Sequence, residues 1–210
     1  MKKSLISLAL AALILLAPMN TGFADIKNLG RDNIRITGPI TEESFEQFLE
    51  ATAFEANRDY RIFIHTNGGD AYSTIAIMNR IDELKARGCT FQMEVYGKAF
   101  SAGAYIFMMG DKRIVHEGSH LMFHTMMQQA PKAAVANGRK MSRNAAVRFS
   151  MIEQMDNYIE KRFRKIVGDR MSESAIQYWL RGTKEEDTKA QWMSARTAYN
   201  VGIATDIVEH

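Results

Sequence analysis

The sequence predicts an α/β protein built on a mainly parallel sheet. Three observations carry that expectation. Short β-branched and aromatic runs alternate with segments whose apolar residues recur at helical spacing. Glycine-containing turns separate them. The composition, 46% hydrophobic and 24% charged over 210 residues, suits one domain with a sizeable core. Three prolines and the lack of a Ser/Gly-rich stretch leave no sign of an interdomain linker.

In chain order, "NIRITG" is a short strand. "TEESFEQFLEATAFEA" is a helix opened by Thr41 as N-cap, with acids in its first turn. "YRIFIHT" is a strand, broken by "NGGD". "AYSTIAIMNRIDELKARG" is a helix ending at Gly88, a suitable C′ residue. "CTFQMEVYG" is a strand and "SAGAYIFMMG" a short apolar helix. "KRIVH" and "HLMFHT" are strands around the turn "EGS". The long segment 138–167 repeats Met141, Ala145, Phe149, Ile152, Met155, Ile159, Phe163 and Ile166 every three or four residues, a helical stripe. Residues 172–181 and 194–201 are further helices, and "ATDIVEH" closes with a strand.

The first 24 residues stand apart. "MKK" is basic, "LISLALAALILLA" is apolar over thirteen residues, and "GFA" ends in a small residue before Asp25. This is the pattern of a secretory signal peptide cleaved after Ala24, on a run short for a membrane span. The expectation is a mature domain of residues 25–210 outside the inner membrane, in the periplasm. The alternative is a membrane anchor over residues 5–17. Without residues 1–24 the chain loses Lys2 and Lys3 and no acid, so net charge falls from +3 to +1. No basic patch beyond the mixed run "EKRFRK" points to nucleic acid. Cys89 is the single cysteine and sits in an apolar context, so no internal disulfide forms.

In parallel sheets, sites lie at the carboxyl ends of strands. Two turns occupy such positions. "GKAFSAG" places Ser101 between a strand and a helix, where the first helical N–H groups lack internal partners and suit an oxyanion. From that stretch alone, Ser101 fits a helix cap as well as a nucleophile. "HTNGGD" carries Gly68 and Gly69, which permit positive φ and close backbone approach. The third group is histidine. "HEGSH" matches the zinc-peptidase pattern H-E-x-x-H, with His124 four residues on. That reading requires His116, His120 and His124 on one helix. The flanking strand patterns instead separate residues four apart by about 13 Å. No metal or other cofactor is therefore expected.

The run from "FIHTNGGDAYSTIAIMNRIDELKARG" to "MEVYGKAFSAGAYIFMMGDKRIVHEGSHLMFHT" resembles the proteolytic subunit of the Clp protease, ClpP. The matching features are Gly68-Gly69, Gly97-Lys-Ala-Phe-Ser101-Ala-Gly103-Ala104, Met122-Phe-His124 and the tail "WMSARTAYNVGIATDIVEH". Similarity spans residues 33–210. The resemblance implies a serine endopeptidase of the ClpP/crotonase fold, with repeated ββα units and a protruding handle over residues 126–168. Ser101 would be the nucleophile and His124 the general base. The N–H groups of Gly69 and Ala102 would form the oxyanion hole, with Gly68 and Thr125 bordering the substrate. It also implies a homo-oligomeric ring, a heptamer or a stacked pair of heptamers, acting on peptides or unfolded chains.

Two positions depart from the family pattern. Asn67 replaces the proline before Gly-Gly, and Ala190 stands where the family has the aspartate of its triad. Asp187 lies three residues upstream and is the candidate substitute; without it, Ser101 and His124 would act as a dyad or catalysis would be weakened or lost. The leader sequence sets a further expectation. No ATP-driven unfoldase partner operates outside the inner membrane, so the peptidase would be ATP-independent. Two rival functions remain in view. A signal-peptide-peptidase-A-like enzyme would use a Ser-Lys pair, for which Lys98 is near in sequence. A catalytically weakened, ring-forming binding protein would account for Ala190.

Overall fold

The structure, a computed structural model, describes residues 25–30, 32–53, 56–125, 143–181 and 191–209. The expected leader (1–24), the first part of the expected handle (126–142), Asp187 and Ala190 lie outside the described residues. Among the described residues, no helix is long and apolar enough to cross a membrane.

The elements alternate as β1 (Asp25–Gly30), β2 (Asn33–Thr37), α1 (Glu42–Ala51), β3 (Asp59–Thr66), α2 (Ala71–Ala86), β4 (Thr90–Phe100), α3 (Ala102–Phe107), β5 (Lys112–His116), β6 (His120–Phe123), α4 (Arg143–Val167), α5 (Glu173–Arg181), β7 (Gln191–Ser194), α6 (Ala195–Asn200) and β8 (Asp206–Val208). A 3-10 turn over Gly168–Arg170 joins α4 to α5. The main sheet runs β1-β2-β3-β4-β5-β8, with β6 added to β4 and β7 to β6. The interior pairs are parallel. The antiparallel pairs are β1–β2 and β6–β7.

Local chemistry accounts for the helix ends. The Thr41 hydroxyl accepts from the Ser44 N–H, and the Ser44 hydroxyl accepts from the Thr41 N–H, a capping box that starts α1. Asp70 caps α2 by accepting from the Ser73 N–H at 2.7 Å. The helix that follows Thr41 is shorter than its sequence pattern, ending at Ala51. Thr52 stops it, turning its hydroxyl back to the Phe48 carbonyl at 2.8 Å.

The alternating residues Ile34, Ile36, Ile62, Ile64, Met93 and Val95 bury one face of the sheet. Phe48 of α1, Ile77, Ile81 and Leu84 of α2, and Ile106 and Phe107 of α3 join the same core. The long helix α4 follows its predicted stripe wherever burial is described. Ile159 and Phe163 are buried and Ile152, Met155 and Ile166 half-buried, Asp156 and Val167 are buried beside them, and Val147 and Met151, outside the stripe, are exposed. Its buried half is fixed to α2 through Asp82, which accepts from the Tyr158 hydroxyl at 3.1 Å and from Arg162.

β4 has eleven residues because it serves two neighbours in succession. Gln92–Val95 pair with β5, and Lys98–Phe100 pair with β6. The ladder continues one step further, as the Ser101 N–H donates to the Met122 carbonyl at 2.8 Å. Ser101 and His124 therefore emerge side by side from adjacent parallel strands.

Candidate active site

Ser101 does not cap α3. Its side chain makes no capping hydrogen bond, and its backbone sits at φ 52°, ψ −117°. A positive φ is costly for a residue with a Cβ, and such strain gathers at functional turns. The freed hydroxyl meets the His124 ring instead, with Oγ 2.8 Å from Nε2. The other ring nitrogen, Nδ1, lies 2.9 Å from the Thr125 carbonyl oxygen. A carbonyl only accepts, so Nδ1 carries a proton, and in the neutral ring Nε2 is left as the acceptor facing Ser101. That tautomer is the one a general base needs.

The Gly-Gly turn closes the other side. Gly68, at φ +94°, lies so near the Ser101 turn that a Cβ there would meet the Phe100 oxygen at 2.7 Å, Ser101 Cβ at 2.8 Å and the Ala102 nitrogen at 3.1 Å. Thr66 shapes this turn, accepting from the Gly68 N–H at 2.9 Å and donating to the Gly38 carbonyl. Ile40 fastens it from outside: its N–H donates to the Gly68 carbonyl and its carbonyl accepts from Asp70. This zip passes over the Gly69 N–H. Among the described residues that N–H has no acceptor, nor has the N–H of Ala102, the first residue of α3. Two donors thus flank the Ser101 turn and are available to an oxyanion.

The two histidines of "HEGSH" do not converge with His124. His116 ends β5 and holds Glu94 at 2.8 Å, while Nδ1 of His120 bonds the Gly118 carbonyl at 3.0 Å. A turn with Gly118 at φ +82° separates their strands, so "HEGSH" is not helical. Among the described residues no group of three His, Cys, Asp or Glu is placed to hold a metal ion. Lys98 sits opposite His120 in the β4–β6 register, and the partner of the Ser101 hydroxyl is His124.

Glu94 belongs to a separate polar cluster on the sheet. It is only 3% exposed and accepts from Arg61 at 2.6 and 2.9 Å as well as facing His116. Burial pushes its carboxyl up, but hydrogen bonds from His116, Tyr96 and Arg61, with the Arg61 charge, outweigh burial and hold it below the usual carboxylate range.

Three features of the site had little or no sequence signal. Thr66 and Ile40 read as ordinary strand and loop residues. Tyr105 read as one more apolar position of α3, yet its buried hydroxyl donates to the His124 carbonyl. A tyrosine inside an apolar helix was the available hint, since a buried phenol needs a partner. Strand β7 also escaped the pattern. It pairs antiparallel with β6, Gln191 opposite Phe123, so the chain enters it beside the residue preceding His124. Asp187 and Ala190 lie outside the described residues.

A family model described as Clp protease matches residues 26–210. Among solved structures the chain is similar to a ClpP1 mutant from Listeria monocytogenes, at 21% identity and a TM-score of 0.62. That match covers 86% of this chain and 92% of the other, and at this identity it speaks to the fold. No curated protein matches the sequence.

Proposed function

The chain belongs to the Clp protease family, and on that premise we propose that it is a serine endopeptidase using Ser101 as nucleophile and His124 as general base. One observation carries the reading. The Ser101 hydroxyl is withheld from capping and lies 2.8 Å from Nε2 of an imidazole whose Nδ1 faces the Thr125 carbonyl. In the proposed reaction, Nε2 of His124 takes the hydroxyl proton as Oγ bonds to the scissile carbonyl carbon. The oxyanion that forms accepts from the N–H groups of Gly69 and Ala102. Collapse expels the amine, which leaves with the proton from His124, and water then hydrolyses the acyl-enzyme by the same route reversed.

The substrates proposed are peptides and unfolded segments, bordered at the site by Gly68 and Thr125. Asp187 is proposed as the acid behind His124. The acids 185–187 precede β7, which enters the sheet next to the His124 strand. The basic–apolar–small pattern of residues 1–24 supports export to the periplasm, or anchoring by residues 5–17, and hence ATP-independent action. A homo-oligomeric ring, heptameric or a stacked pair, is proposed from the family resemblance. Ala190 favours a second reading, a ring-forming binding protein with weakened catalysis.

A serine-directed phosphonate probe on the purified mature protein decides between the two. Covalent labelling of the wild type that disappears in Ser101→Ala is the expected result. An assembled ring that does not label overturns the peptidase reading.

A further inference from the structure

Helix α3 begins at the nucleophile and, one turn later, reaches the base. Tyr105, four residues beyond Ser101, is 1% exposed, and its hydroxyl donates to the main-chain carbonyl of His124. The next carbonyl along the chain, that of Thr125, holds Nδ1 of the His124 ring. Two successive carbonyls are therefore committed, one to the tyrosine and one to the imidazole.

We propose that Tyr105 is the positioning residue for His124. By holding the His124 carbonyl it fixes the peptide between His124 and Thr125. That directs the Thr125 carbonyl to Nδ1 and leaves Nε2 bare toward Ser101. The surrounding packing makes the hold rigid. The Tyr105 ring lies against Phe123, with centroids 6.4 Å apart, and Phe123 meets Phe163 of α4 edge-on at 5.3 Å. The phenol also stays a donor. Burial drives its pKa far above the ordinary tyrosine value, and the buried Asp156 of α4 pushes it the same way against the opposing bond to His124. Helix α4 thus supports the base through Tyr105.

The catalytic meaning of this inference rests on the Ser101–His124 reading, but its geometric core does not, and the test separates them. Protein labelled with ¹⁵N-histidine gives the tautomer of each imidazole, with His124→Gln assigning the signal. Wild-type His124 is expected as the Nδ1–H tautomer. Tyr105→Phe keeps the ring and removes only the donor, and it is expected to mix the two tautomers. The same variant is expected to lose about 10- to 100-fold in kcat with KM nearly unchanged, since small misplacements of reacting groups cost factors of that order. A wild-type Nε2–H tautomer overturns the proposal. So does a Tyr105→Phe protein with the wild-type tautomer, whatever its melting temperature, or one that fails to fold, which makes the hydroxyl a general stability element. A wild type whose Ser101 resists the phosphonate, while Tyr105→Phe still mixes the tautomers, sinks the peptidase reading and leaves the positioning role standing.

Discussion

Replacing Gly68 by alanine tests whether the Gly-Gly turn sets the Ser101 geometry. The added methyl would lie 2.7 Å from the Phe100 oxygen and 2.8 Å from Ser101 Cβ. Carbon contacts relax at about 3.5–4.0 Å, so one side must give by about 1 Å. The left-handed φ of +94° adds about 1–2 kcal/mol of strain. Overpacking adds about 1–3 kcal/mol. The sum, about 2–5 kcal/mol, is less than the 5–15 kcal/mol typical of a domain's whole stability, so the variant folds. A displacement of about 1 Å at a nucleophile costs about 100-fold in turnover. Gly118→Ala is the matched control. It has a similar φ of +82° and nothing within 4 Å of the new methyl, so it carries the strain without the clash. Urea midpoints and kcat on a fluorogenic peptide read both variants. Gly68→Ala with wild-type turnover, or Gly118→Ala with an equal loss, refutes the reasoning.

Further outcomes follow from the same geometry. Protonating His124 removes the acceptor at Nε2, so turnover is expected to fall on the acid side, and His124→Ala to abolish it. Activity surviving that substitution would favour a lysine mechanism. Glu94→Gln is expected to cost about 1–3 kcal/mol at neutral pH, because it weakens the bonds from Arg61 and His116. The Glu94 carboxyl is depressed in the folded state, so its contribution is present above the unfolded value near 4.3 and lost as pH falls through the folded one. The gap between wild type and Glu94→Gln in denaturation midpoint should therefore close below about pH 4. A gap independent of pH would remove the charge from that account. Asp82→Ala, which frees Tyr158 and Arg162, is expected to cost about 1–2 kcal/mol in the same assay.

The fold was legible because burial writes a period into the chain. Ile34 and Ile36, then Ile62 and Ile64, alternate as half-buried strands must, and α2 carries Ile77, Ile81 and Leu84 at helical spacing. Ser101 and the Gly-Gly turn gained meaning only through the resemblance to the Clp protease family, because each stretch alone fits an ordinary helix cap or turn as well. The four-residue β7 was not, since so short a strand cannot show a period and is defined only by its pairing with β6. Ile40 was missed for a similar reason. Its role is a single bridge to Gly69, a contact across 29 positions that no local pattern encodes. Asp156 is one polar residue of α4, and no helical pattern encodes its burial. Its meaning depends on where the α4 stripe meets the domain, which is a tertiary fact.

Catalysis by His124 turns on what an acid does for an imidazole. In a triad it fixes the tautomer and it stabilises the imidazolium. The Thr125 carbonyl, held by way of Tyr105, performs the first task, since it demands a proton on Nδ1. Being neutral, it supplies only part of the second. A chain with the carbonyl alone should keep Ser101 nucleophilic while leaving the imidazolium poorly compensated. This separates two substitutions. If Asp187 serves as the acid, Asp187→Ala is expected to lower kcat and shift the acid limb of the pH–rate profile downward, because removing a nearby carboxylate disfavours the charged ring. Ala190→Asp then adds little. If the carbonyl acts alone, Asp187→Ala leaves turnover unchanged. Ala190→Asp in that case raises kcat and moves the acid limb to higher pH. A pair of variants that both leave the limb where it was would mean that no carboxylate acts on His124 from either position, and that the main chain is its whole support.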